Sequence, residues 1–336
     1  MSMLGPGAEF DLIRSFLAQA GELRLPDDVI LGAGDDAAVV SAHPLAVSCD
    51  LSIEDVHFRR DWLSAEEIGW RAATAGLSDL AAMAARPVGL LLSIAANDED
   101  ARGYVERVVA GAMEAARAVD ARLIGGDLTR SPGPLILDAV ALGEVAQPLR
   151  RDGARPGDEI WVTGRLGAPA AAVRDWLAGG RPAPAARARF ARPVARTHEA
   201  LWLRQRVDLT AGLDLSDGLA GDLAHIAAAS RVTLVIERAA VPVHEAASTT
   251  PELAITGGEE YELCIAAPAG SIDGAAREFE TEFGLPLTKI GAVVPPGGAD
   301  ASRPQEPGTA RVWLKNPDGT LEAMPAPSYR HFMEEQ

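Results

Sequence analysis

Apolar residues along this chain recur with two different spacings, and each change of spacing marks an element. Between Glu9 and Ala20, Phe10, Ile13, Phe16 and Leu17 fall on one side of a short helix, which Pro26 and the pair Asp27-Asp28 break. After the loop Gly32-Ala33-Gly34-Asp35-Asp36, the stretches Ala37 to Val40 and Leu45 to Cys49 read as strands. Ser64 followed by Glu67 is a capping box and predicts a helix to about Ala85. Val88 to Ala95 is a nearly unbroken apolar run, the pattern of a buried strand. A second helix is predicted over Asp98 to Val119, where Val105, Val108, Ala112, Met113, Ala116 and Val119 share a face. Leu123-Ile124 and Leu135 to Val145 supply further strands.

The pattern restarts near Gln147-Pro148. A strand (Glu159 to Thr163) leads into the turn Gly164-Arg165-Leu166-Gly167 and an alanine-rich helix. A Gly/Pro/Ala loop covers Gly179 to Ala186, and a helix is predicted around Ala195 to Arg206. Strands at Val232 to Glu237, Glu260 to Ala266 and Leu287 to Val293 then alternate with helix. Pro295 to Ala310 reads as loop and Arg311 to Leu314 as a last strand. Two halves, 1–148 and 149–336, are expected, each of the α/β class with mixed sheets; 336 residues exceed what one core ordinarily serves.

The net charge of −17 turns the reading away from nucleic acid, whose binding rests on basic patches. No apolar run free of charges reaches the roughly 18 to 20 residues of a membrane span, and Met1 to Phe10, with no basic stretch before an apolar core, is not expected to be a signal peptide. A cytoplasmic protein without a membrane partner is expected. Cys49 and Cys264 lie far apart, form no metal-type spacing, and read as small buried residues in strands. Only two lysines occur, Lys289 and Lys315, and no Gly-Lys-Ser/Thr is present. A nucleotide site here must therefore hold its phosphates with metal ions and arginine.

The aspartates carry the chemistry. Asp35-Asp36 follow glycines in a loop, Asp50 closes an apolar strand, and Asp127 follows Gly125-Gly126. Asp214 and Asp217 bracket Ser216 at a strand-to-helix turn. Turn or cap chemistry explains any one of these alone. It does not explain Asp79, which shares a helical face with Ile68, Ala72, Ala75 and Met83; a carboxylate buried there needs a cation. Five or six carboxylates suit several magnesium ions around a polyphosphate, and the glycine pairs leave room for backbone N–H groups to meet phosphate oxygens. Taken singly, His57 reads as a partly exposed histidine after a strand, Arg151 as a solvated linker charge and Glu259 as the residue before an edge strand.

Together these pieces resemble the thiamine-monophosphate kinase family, part of the superfamily of aminoimidazole ribonucleotide synthetase. The matching motifs run nearly end to end: Gly7-Ala8-Glu9-Phe10, Gly34-Asp35-Asp36-Ala37-Ala38, Asp50 with Glu54-Asp55-Val56-His57-Phe58, and Gly69-Trp70-Arg71-Ala72 with Ser78-Asp79. They continue through Gly125-Gly126-Asp127, Arg151-Asp152-Gly153-Ala154 and Asp214-Leu215-Ser216-Asp217-Gly218-Leu219. Gly257-Gly258-Glu259-Glu260-Tyr261-Glu262-Leu263 and Tyr329-Arg330-His331-Phe332 complete the series.

The resemblance implies a two-domain fold like that of aminoimidazole ribonucleotide synthetase. It implies transfer of the γ-phosphoryl of ATP to thiamine monophosphate, with several Mg²⁺ ions and no general base. It would have Asp36, Asp50, Asp79, Asp127, Asp214 and Asp217 hold magnesium. Gly126, Asp127, Arg151 and Ser216 would meet ATP, and His57, Glu259 and Tyr329 the acceptor. A homodimer through the N-terminal halves is implied, and a K⁺ requirement is left open. The family often has Trp where Tyr329 stands, and a nucleotide-contacting Tyr of some members falls on Val109. The alternatives are another ATP-dependent enzyme of the superfamily, a metal-dependent phosphohydrolase, and a non-catalytic binding protein.

Overall fold

The computed structural model describes residues 29–31, 39–41, 44–100, 103–296 and 311–325. The chain divides into two compact units, each taking a short segment from the other half of the sequence. The first comprises Met1–Leu80, Ala85–Gln147 and Ala191–Thr197; the second comprises Ala81–Ala84, Pro148–Phe190 and His198–Gln336. The helix expected over 9–20, the Gly32–Asp36 loop and all but the start of the 295–310 loop lie outside the described residues.

The first unit is built on a four-stranded sheet of β3 (Leu45–Ile53), β4 (Arg86–Ala96), β5 (Leu123–Arg130) and β6 (Ile136–Glu144), in the order β3-β6-β4-β5. A separate pair, β1 (Val29–Leu31) and β2 (Val39–Val40), runs antiparallel. Helix α1 (Ala65–Ala82) starts where the capping box predicts: Glu67 N–H donates to Ser64 Oγ at 3.2 Å and Ser64 N–H to Glu67 Oε2 at 2.8 Å. Helix α2 (Tyr104–Ala118) joins β4 to its parallel neighbour β5, as a parallel pair requires. Alternate residues Leu90, Leu92 and Ile94 of β4 and Leu137, Ala139 and Ala141 of β6 are buried on the helix side. The two helices cross in near backbone contact at Gly69 and Gly111. A Cβ at Gly69 would lie 1.7 Å from Val108 O, and one at Gly111 1.8 Å from Glu66 O.

In the second unit a seven-stranded sheet runs β13 (Leu321–Ala323), β12 (Arg311–Lys315), β9 (Thr233–Glu237), β11 (Leu287–Val294), β7 (Asp158–Thr163), β10 (Leu263–Pro268), β8 (Ala211–Asp214). All its pairs are antiparallel except β12 with β9. Every residue of β7 is buried because both faces are covered. Ile160 and Val162 join the core with Leu219, Leu223 and Ile226 of α6 (Leu219–Ser230). Trp161 joins the opposite core with Leu203 of α5 (Thr197–Arg206) and Phe279 of α8 (Asp273–Phe283). Helices α3 (Ala168–Leu177), α4 (Pro184–Ala191) and the single turn α7 (Leu253–Thr256) complete the unit.

Several elements differ from the sequence pattern. Helix α2 starts at Tyr104 rather than Asp98, because Asp100 N–H donates to Asn97 Oδ1 (3.0 Å) in a turn and Gly103 takes φ 77°. Strand β5 continues to Arg130 through glycines that read as loop. Helix α4 begins inside the Gly/Pro/Ala stretch, with Pro184 at its first position. Among the described residues, no helix is long and apolar enough to cross a membrane.

Candidate active site

The first unit places its aspartates on two sides of one sheet. Along β3, Ser48, Asp50 and Ser52 alternate with the exposed residues Val47, Cys49 and Leu51 and point to the helix-covered side. There Ser48 Oγ, two residues along the strand from Asp50, donates to Asp79 Oδ2 of α1. Asp79 is half-buried, as are Ala75 and Met83, while Ile68 and Ala72 are buried. The stripe runs out to the margin of the helix, so its carboxylate is only partly desolvated and already has a donor. Burial alone therefore demands a cation less strongly than the sequence pattern suggests.

Asp127 lies elsewhere. The register pairs it with Ser93, Ser93 with Asp138, and Asp138 with Leu51, so all four share the face away from the helices. Asp50 pairs with Ala139 on the buried side. Because β3 and β5 are the two edges of the sheet, three strand spacings, about 14 Å, separate Asp50 from Asp127. The structure thus places Asp50 on the helix-covered side, with Ser48 and its partner Asp79, and Asp127 on the opposite face. Cys49, expected to be buried, is exposed on that same face. Its thiol donates to Asp138 Oδ1 at 3.2 Å, the main cause holding its pKa above the usual range.

His57 sits in a turn after β3 and accepts Ile53 N–H on Nδ1 at 3.0 Å. That bond puts the proton of the neutral imidazole on Nε2. The turn is clamped by Arg60, which grips Asp100 with two bonds of 2.7 Å and also pairs with Glu54. Glu54 in turn accepts Leu135 N–H at 2.9 Å. Val109 is buried in α2, only 3% exposed, and faces the core rather than a ligand.

The second unit gathers the rest. Asp214 ends β8 and is buried, Ser216 and Asp217 are exposed, and Gly218 (φ 110°) turns the chain into α6. Gly218 N–H donates to Asp222 Oδ2 at 3.1 Å. Burial, then the charges of Asp214 and Asp217, push the Asp222 carboxyl up to about 8. One oxygen each of Asp217 and Asp222 and a nitrogen of His225 lie within 4.8 Å of one another. Asp222 and His225 carry no turn or motif signal that separates them from an ordinary helix face, and sequence reasoning missed them.

The Gly257–Glu262 segment is strapped to this turn. Glu259 N–H donates to Ser216 O (2.7 Å), Tyr261 N–H to Leu215 O (2.8 Å), and Leu215 N–H to Glu262 O (2.8 Å). A Cβ on Gly258 would stand 2.4 Å from Ser216 O, so only glycine fits. Arg151 is exposed on a loop pinned by Ser230 Oγ, which donates to Arg151 O at 2.7 Å and accepts Ala154 N–H at 3.1 Å. Asp36 and Tyr329 lie outside the described residues. The donors around Asp79 and around Asp214 are carboxylate and hydroxyl oxygens, the set a hard divalent cation prefers, and the Asp214–Asp217–Asp222 group concentrates negative charge that a cation would relieve.

Two mixed α/β units with carboxylate-bearing turns define a class. Residues 34–145 match the AIR synthase related protein N-terminal domain, and residues 155–302 match its C-terminal domain. The thiamine-monophosphate kinase of Rhodopirellula baltica is 36% identical over 302 residues, covering 84% of this chain and 89% of the relative. The crystal structure of the thiamine-monophosphate kinase from Stenotrophomonas maltophilia K279a superposes with TM-score 0.75 at 34% identity, over 92% of this chain and 96% of that one. A further relative, AaThiL complexed with AMPPCP and TMP, gives TM-score 0.72 at 27% identity over 96% and 95% of the two chains. Within the AIR synthase-related proteins, this chain belongs to the thiamine-monophosphate kinase family.

Proposed function

We propose that the chain transfers the γ-phosphoryl group of ATP directly, in line, to the phosphate of thiamine monophosphate, giving thiamine diphosphate and ADP in the cytoplasm. The observation that carries this is the turn Asp214–Asp217 strapped to Glu259, in a chain 36% identical to a thiamine-monophosphate kinase. The strap sets a residue assigned to ATP, Ser216, beside one assigned to the acceptor, Glu259.

The acceptor phosphate has a second pKa of about 6 and is largely ionised at neutral pH, so the chain needs no base to activate it. The obstacle is the approach of two anions. Asp36, Asp50, Asp79, Asp127, Asp214 and Asp217 would hold magnesium, which would supply neutralisation of the phosphate charge. Gly126, Asp127, Arg151 and Ser216 would be the residues that meet the nucleotide. Arg151 offers the fork of N–H donors that the missing Walker lysine would otherwise replace with a point charge. His57, whose proton the bond on Nδ1 leaves on Nε2, would be an acceptor contact, as would Glu259 and Tyr329.

The sheet supports a homodimer. Asp50 and Asp127 are too far apart in one chain to hold one ion, and β3 leaves Val47 60% and Leu51 51% exposed on the open face. Two such faces packed about a two-fold axis along the strands would set β3 of one copy opposite β5 of the other. On this reading residues 1–148 bind ATP and metal and dimerise, and 149–336 complete the site.

The test is an endpoint assay of the purified protein with ATP, Mg²⁺ and thiamine monophosphate, its products resolved by chromatography. Stoichiometric thiamine diphosphate and ADP, abolished by chelator, are expected. ATP hydrolysis without thiamine diphosphate would redirect the reading to a phosphohydrolase.

A further inference from the structure

Glu259 and Tyr261 are two of the few non-glycine residues with positive φ, 67° and 53°, and they flank Glu260. Such backbone is sparsely populated and persists only where the surroundings impose it. Here they do: besides the three backbone bonds to Leu215 and Ser216, the Glu260 carboxyl oxygen accepts Gly167 N–H. Glu260 is buried at 1% exposure, while Glu259 stays half-exposed beside Ser216. The kinked backbone returns Tyr261 toward Glu259, and the phenol Oη donates to Glu259 Oε2 at 2.9 Å. The Tyr261 ring is only 8% exposed, so its hydroxyl is delivered from a fixed wall.

The loop does not need this bond to hold its shape, since backbone bonds already fasten it on both sides. What the phenol does is orient one carboxylate. An ionised carboxylate accepts a phenolic proton strongly, and the bond selects one rotamer of an otherwise mobile side chain.

We infer that Tyr261 is a positioning residue for the acceptor: it pre-orients Glu259 to meet thiamine monophosphate, which offers a cationic ring and an amino group to a carboxylate. The inference rests on the reading that Glu259 is an acceptor contact. It places no new group at the reacting atoms and makes the acceptor, not ATP, the substrate that senses Tyr261.

The test compares Tyr261→Phe, Glu259→Gln and the double variant by steady-state kinetics and thermal melting. Tyr261→Phe keeps the ring and its packing. It should raise KM for thiamine monophosphate about tenfold, with a smaller change in kcat and in KM for ATP. The double variant should be no worse than Glu259→Gln alone, because the hydroxyl then has no carboxylate to orient. Additive losses, or a Tyr261→Phe protein whose two KM values and melting temperature fall off together, would overturn the inference. If Glu259→Gln raises the acceptor KM and Tyr261→Phe does not, the positioning role falls while the reading of Glu259 stands. If Glu259→Gln leaves it unchanged, both fall.

Discussion

Asp50 and Asp127 occupy opposite edges and opposite faces of the same four-stranded sheet. If both serve one metal site, the site is shared between two copies. Asp50→Asn and Asp127→Asn proteins should then each be inactive, and mixing and reassembling them in equal amounts should restore activity. Half of the dimers would be mixed, each with one intact and one doubly defective site, giving about a quarter of wild-type activity. An inactive mixture that size-exclusion chromatography shows to have exchanged subunits would place the site within one chain.

Asp79 is half-buried and accepts a bond from Ser48. Asp79→Asn preserves the shape and removes the charge. The rate should fall by about 100-fold or more, with partial recovery at high Mg²⁺, while the melting temperature moves by only a few degrees. Kinetics against Mg²⁺ concentration alongside a thermal melt decide it; equal losses of rate and stability would make Asp79 structural.

Glu260 predicts a pH dependence of stability. Burial pushes its pKa up to about 8 from the ordinary 4.5. Between these values the folded chain keeps a proton that the unfolded chain has lost, so rising pH favours unfolding until both forms are ionised. Glu260→Gln imitates the protonated acid. Its melting temperature relative to wild type should therefore climb from pH 5 to pH 9 and then level. A difference that is flat across this window would mean the carboxylate ionises in place without cost.

The crossing of α1 and α2 leaves no room for a methyl group at Gly69, where a Cβ would meet backbone rather than a flexible side chain. Gly69→Ala should destabilise the protein by about 3 kcal/mol, read as a lowered denaturation midpoint at unchanged slope. An unchanged midpoint would show that the helices separate freely.

What the sequence revealed divides along a physical line. Local chemistry was legible: the Ser64–Glu67 box, the apolar run of β4 and the Asp214–Gly218 turn are decided by neighbours within a few residues. The course of β5 through Gly125-Gly126 was not, since pairing with β4 overrides the glycines' preference for loop. Nor was strand order, which depends on partners far along the chain and alone separates Asp127 from Asp50. Asp79 was legible as unusual but not in its surroundings, because helical spacing gives the direction of a side chain and not how far cover extends. Cys49 was misread because a strand with one open face looks, in a short apolar stretch, like a buried one.

The segment Ala191–Thr197 belongs to the first unit although it is encoded after most of the second unit's opening stretch. It brings Pro193 O to accept Trp70 Nε1–H at 2.6 Å, and Arg192 to lie over the Trp70 ring and grip Glu114. During synthesis, therefore, the first unit cannot finish when its own sheet and helices have left the ribosome. It waits, with one face of Trp70 uncovered, until Pro148–Phe190 has also emerged. A fragment cut at Gln147 would be caught permanently in that unfinished state.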